Sequence, residues 1–194
     1  MDMSPARCDA GRMRVPCLLL VTALTACVGG LDDGGSPGSD GGQAAGEDAS
    51  VAGIVNAHNT ARAAVQPAPV IPLPALSWSA AAFDKARAWA AGCQWGHNPS
   101  LGGFGENIFA TSGTTTAQAV VDTWVSEKSN YDYSTDQCRS GGVCGHYTQV
   151  VWRATTGVGC AAQTCTSGSP FSGGAWQFWV CDYTPAGNSG GRPY

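Results

Sequence analysis

Apolar residues recur at helical spacing three times in the first two-thirds of the chain. Val51, Ile54, Val55, His58 and Val65 share one face, with Asp48 or Ser50 placed to cap that helix and Pro67 to stop it. Beyond the proline-rich segment 67–74, Ser79 can cap a second helix whose inner face is Phe83, Ala86, Trp89 and Ala90 and whose end is Gly92. Its alanine content favours helix on its own account. A third helix is predicted over 117–128, with Val120, Val121 and Trp124 turned inward and Glu127 on the same stripe.

The period then shortens. Residues 147–153 alternate in the manner of a strand, 158–164 give a second, and 176–183 a third rich in aromatics, with glycine-rich turns between them. Helices first and antiparallel strands later predict an α+β domain, or a layered α/β/α one, and do not suit a doubly wound parallel sheet.

The N-terminus follows other rules. Arginines run to Arg14, an apolar stretch spans only 15–24, and Leu24-Thr25-Ala26-Cys27 resembles the bacterial lipobox. Ten apolar residues are too few for a permanent transmembrane helix. The organisation expected is a lipoprotein signal peptide over 1–26, a lipidated Cys27 leading a Gly/Ser/Asp-rich tether over 27–50, and one folded domain over 51–194. The protein is then exported and held at the cell envelope, or released outside the cell.

The net charge of −4 divides unevenly. Asp32, Asp33, Asp40, Glu47 and Asp48 all fall in the tether, whereas the seven basic and seven acidic residues after position 50 cancel. A neutral domain lacks the basic footprint that nucleic acid requires, so nucleic acid is not an expected partner. Of nine cysteines, Cys8 and Cys17 lie in the leader and Cys27 takes the lipid. The remaining Cys93, Cys138, Cys144, Cys160, Cys165 and Cys181 form an even set in an oxidising compartment, which argues for three disulfides among fifteen possible connectivities.

Ionisable chemistry in the domain is sparse. His58 lies on the apolar stripe of the first helix and reads as a structural histidine. His97 follows the second helix, Glu106 sits in a glycine-rich turn, Glu127 points inward and His146 opens the first strand beside Cys144. Brought together, two imidazoles and two carboxylates would suit zinc or another divalent ion with open positions for water. Spacing alone does not bring them together.

The run Gly145-His146-Tyr147-Thr148-Gln149-Val150-Val151-Trp152-Arg153 resembles the first signature of the cysteine-rich secretory, antigen 5 and pathogenesis-related 1 (CAP) superfamily. Phe178-Trp179-Val180-Cys181-Asp182-Tyr183, followed by Pro185-Ala186-Gly187-Asn188, resembles the second. The resemblance extends over 51–194 and is strongest to the plant pathogenesis-related 1 branch, which ends as this chain does in Arg192-Pro193-Tyr194. It implies a three-layer α/β/α sandwich with a mostly antiparallel central sheet. It also implies that His97, Glu106, Glu127 and His146 are the family's cavity tetrad, metal-binding in some members. The disulfides it implies are Cys93 with Cys165, Cys138 with Cys144, and Cys160 with Cys181.

Three functional readings follow. The first is a binding module for a sterol, a fatty acid or another apolar small molecule, with Tyr131 and Tyr133 in the loop that the family uses for sterol capture. The second is a metal-dependent hydrolase with Glu106 or Glu127 as general base, although no HExxH helix supports it and no Gly-x-Ser-x-Gly turn precedes a helix. The third is a monomeric envelope interaction protein, membrane-bound through its anchor, whose tetrad only organises the cavity. Binding rather than catalysis is the reading adopted.

Overall fold

The computed structural model describes residues 42–194. The predicted signal peptide, Cys27 and most of the tether lie outside the described residues.

The domain begins earlier than residue 51. Glu47 is buried, and its carboxylate accepts hydrogen bonds from the backbone N–H groups of Ala44, Gly53 and Val55. The last residues assigned to the tether therefore belong to the fold. Asp48 caps only a 3-10 turn, Ala49–Val51, and the first helix, α1 (Ile54–Ala63), starts after Gly53. Gly53 has a φ of 87°, a conformation that glycine adopts without a steric penalty. The negative carboxylate of Glu47 at that helix N-terminus replaces the side-chain cap expected from Asp48 or Ser50.

The next two helices start where their caps predict. Ser79 accepts from Ala82 N–H ahead of α2 (Ala80–Ala90), and Thr116 accepts from Ala119 N–H ahead of α3 (Ala117–Ser126). Val120, Val121 and Trp124 are buried as predicted. The α-helix closes before residue 128, because the chain tightens into a 3-10 turn over Glu127–Asn130.

The main sheet has the order β1-β5-β6-β2, comprising β1 (Ser77–Trp78), β2 (Gly105–Thr111), β5 (Gly157–Cys165) and β6 (Trp176–Thr184). Only β1 and β5 run parallel, so the sheet is mostly antiparallel. A separate short hairpin pairs β3 (Tyr131–Asp132) with β4 (Gln137–Cys138). Alternate residues of β5 and β6 feed two hydrophobic clusters. Val158, Cys160, Trp179, Cys181 and Tyr183 pack with residues of α1 and α3, whereas Ala161, Cys165, Phe178 and Val180 pack with Ala86 and Ala90 of α2. Gly159 admits α2 this closely, since a Cβ there would strike the Ser79 carbonyl and the Phe83 amide.

Two sequence expectations fail. Residues 145–150 form a short helix, α4 (Gly145–Val150), and not the first strand. The alternation there misleads because Thr148 and Gln149 are polar yet buried, with Thr148 bonded to Asn188 and Gln149 to the Gly187 amide. Conversely, Glu106 lies in strand β2 and not in a turn, because Gly105–Thr111 is paired residue for residue with β6.

The three disulfides join Cys93 to Cys165, Cys138 to Cys144 and Cys160 to Cys181, the pairing that the family resemblance implies. The first ties the end of α2 to the end of β5, and the last bridges register partners on β5 and β6.

Candidate functional site

Four separate elements supply the four candidate residues. His97 lies in the loop after α2, Glu106 in β2, Glu127 in the 3-10 turn after α3, and His146 in α4. The fold gathers them as two histidine–glutamate pairs. His97 Nδ1–H donates to Glu106 Oε1 at 2.7 Å, and His146 Nδ1–H donates to Glu127 Oε1 at 2.6 Å. The two imidazoles stack with centroids 6.4 Å apart, and the Trp124 indole stacks on the other side of His146 at 6.2 Å.

Each glutamate also anchors backbone. Glu127 Oε2 accepts from the amides of His146 and Tyr147, which caps α4, and Glu106 Oε1 accepts from Asn98 N–H. The pairs differ in exposure: the His97 side chain is 57% exposed and that of His146 25%, while Glu106 is fully buried. Because a carboxylate only accepts, each pair fixes its histidine with the proton on Nδ1 and leaves Nε2 without a protein partner. That is the arrangement in which a carboxylate orients an imidazole toward a metal ion. Among the described residues no three His, Cys, Asp or Glu side chains come close enough to form a metal cage. The donors present fit an open two-imidazole site and not a closed structural one.

His146 and Glu127 open onto a cleft of about 270 Å3. Its floor is Ile108, Phe109 and Ala110 of β2, and its walls carry Trp95 and Phe171 on one side and Trp124 on the other. Trp95 and Phe171 are among the large apolar side chains that remain exposed.

Asp182 was not predicted as a site residue. It is fully buried directly opposite Glu106 in the β2–β6 register, and neither of its oxygens has a hydrogen-bond partner. Burial pushes its carboxyl up to about 8, the charge of Glu106 adds to the rise, and Lys85 offsets part of it. Its burial was legible, since a period of two puts residue 182 on the face of Phe178 and Val180. Its partner was not, because β2 had not been read as a strand.

His58 is structural, as predicted: it is buried, with Nδ1 bonded to the Ile54 carbonyl and Nε2 to the Tyr183 hydroxyl. Tyr131 and Tyr133 lie apart from the His/Glu pairs, on and beside the β3–β4 hairpin. Tyr131 donates to Asp136, and Tyr133 donates to the Tyr194 carbonyl while stacking on the Tyr194 ring at 4.9 Å. Arg192 lies over the Tyr133 ring at 5.1 Å. A cavity of about 270 Å3 separates Tyr131 from the segment around Gly190 and Pro193.

The chain matches the model of the CAP, cysteine-rich secretory protein family over residues 55–183. It is 41% identical over 138 residues to pathogenesis-related leaf protein 4 of Solanum lycopersicum, covering 71% of this chain and 79% of that one. It is 42% identical over 146 residues to a PR-1 type pathogenesis-related protein of Sambucus nigra, covering 72% and 79%. Among solved structures, the Schistosoma mansoni venom allergen-like protein 4 superposes with a TM-score of 0.58 at 27% identity, over 73% of this chain and 90% of that one. A match to a secretory family in a domain with three disulfides makes this an exported protein. The chain belongs to the CAP, or cysteine-rich secretory protein, family, with its plant pathogenesis-related relatives placing it near the PR-1 branch.

Proposed function

We propose that this protein is a lipid-anchored binding module of the cell envelope that takes an apolar ligand beside a divalent-metal-capable His/Glu site. The observation that carries this reading is the pair of stacked imidazoles, each held through Nδ1 by its own glutamate, with His146 and Glu127 lining an apolar cleft. His97 and His146 would hold the ion through Nε2, and Glu106 and Glu127 would orient the rings. A zinc ion there would act as a Lewis acid that draws in a polar group of the ligand.

Cys27, at the end of the lipobox-like segment, is the anchor in this reading, and the acidic tether holds the domain clear of the membrane. A fatty acid or another ligand with an apolar body fits the cleft at His146 better than the hairpin tyrosines, whose hydroxyls are already satisfied within the protein. Hydrolysis is the weaker reading. Glu127 is committed to His146 and to capping α4, and the remaining oxygen of Glu106 is buried away from water.

Metal analysis with mass spectrometry of co-purified molecules, on protein isolated under native conditions, tests this function. The reading requires a divalent ion and an apolar ligand that are both lost in a His97→Ala, His146→Ala variant. Retention of both in that variant would place them elsewhere.

A further inference from the structure

The cleft beside His146 has a floor of a particular kind. Among the described residues β2 is an edge strand, with β6 on one side and no strand on the other. The far edge of the sheet differs, since β5 is flanked by β1 and by the 3-10 turn before α1.

The orientation of the β2 backbone follows from the ladder. Ser79 N–H donates to the Val158 carbonyl across β1–β5, so the even residues of β5 face β1 and its odd residues face β6. The registers then make the odd residues of β2 the partners of β6 and turn Glu106, Ile108 and Ala110 outward. The Trp124 indole N–H donating to the Ile108 carbonyl agrees with this, since that carbonyl must point away from β6. Ala110 thus presents an N–H and a C=O to the cleft, between Trp95, which packs edge-on to Trp176 and Phe178 on the α2 side of the sheet, and Trp124 with Thr123 on the α3 side, with Phe171 also in the lining.

We infer that the cleft is a strand-addition groove that takes an extended peptide segment, paired by its backbone to the outer edge of β2, with alternate side chains against the two walls. A donor and an acceptor on one residue of an edge strand match an extended main chain, and the walls above and below the sheet plane match its two-residue side-chain period. A fatty acid would use the walls and leave the backbone pair unmet. The occupant proposed is an extended segment of another protein, with apolar side chains toward the aromatic residues that line the cleft. This inference rests on the proposed function only in taking the cleft at His146 as a binding site.

The test titrates the full, 15N-labelled chain with a blocked six-residue peptide of alternating phenylalanine and threonine. The same peptide N-methylated on alternate amides, palmitate, and zinc chloride are titrated in parallel. The parent peptide should slow hydrogen exchange of the Ala110 amide, and N-methylation in the register that removes the paired donors should weaken binding by about tenfold, the loss of one or two backbone hydrogen bonds. Ala110→Pro removes the outward N–H without touching the β2–β6 ladder and should weaken the peptide similarly. Phe171→Ala, in an exposed loop, should weaken it severalfold and serves if the proline variant does not fold. Equal binding of parent and methylated peptides in both registers would overturn the inference. So would palmitate binding without peptide binding, which would leave the proposed function standing. Failure of peptide, palmitate and zinc alike would remove both.

Discussion

Glu106 and Asp182 face each other across β2 and β6, and three of their four carboxylate oxygens are buried without a hydrogen-bond partner. The fourth, Glu106 Oε1, holds His97 and the Asn98 amide. One wall of the His/Glu site thus rests on a buried acid pair, which favours a proton on Asp182.

A pH dependence follows. The folded-state carboxyl of Asp182 lies near 8, above its ordinary value of 3.8, so the folded chain keeps a proton that the unfolded chain releases. The associated stability is complete below pH 4 and declines as pH rises toward 8, by an amount on the order of a few kcal/mol. Thermal melts between pH 5 and pH 8 should show the decline, and Asp182→Asn should flatten it. An unchanged slope in that variant would contradict the account.

Among the described residues the buried Arg62 has no acidic partner. Its guanidinium donates to the carbonyls of Pro74, Val150, Trp152 and Thr155, joining α1 to the loop before β1 and to the end of α4. Arg62→Ala leaves buried acceptors unmet and should destabilise the domain by roughly 3–5 kcal/mol. Arg62→Lys should recover only part of that, because one ammonium cannot span four acceptors. Denaturant titration of both variants checks the order.

The disulfides should rank by the loops they close. Cys93–Cys165 spans a sequence separation of 72 and Cys138–Cys144 only 6. Replacing the first pair by serine should destabilise the protein by about 2 kcal/mol more than replacing the second, on the chain-entropy account. Equal losses in denaturant titrations would count against that ranking.

The elements legible in the sequence were those with local causes. Ser79 caps α2, and the strands 158–164 and 176–183 are apolar runs because β5 and β6 are packed on both faces. What was missed depends on tertiary partners. β2 reads as a turn until β6 is laid beside it, and α4 reads as a strand until Glu127 caps it and Gln149 and Thr148 find buried partners. The four His/Glu residues stand out in the sequence as sparse ionisable groups, and the family resemblance implies that they share a cavity. Their division into two pairs depends on Nδ1 geometry, which no spacing encodes.

Cys27 gives a prediction independent of the fold. Cys27→Ser should move the protein from the membrane fraction to the soluble exported fraction and abolish incorporation of labelled palmitate, because in the proposed function the Cys27 thiol takes the lipid. Persistence in the membrane fraction would point to a different anchor.

In the proposed function, His97 and His146, each held through Nδ1 by a glutamate, offer their Nε2 atoms to one divalent ion. Isothermal titration of the metal-free protein with zinc tests it most directly. The account predicts one ion per chain, and binding that is abolished in the His97→Ala, His146→Ala variant and weakened by about 10–100-fold in Glu127→Gln. Zinc binding unchanged in the double variant, or none in the parent protein, would contradict it.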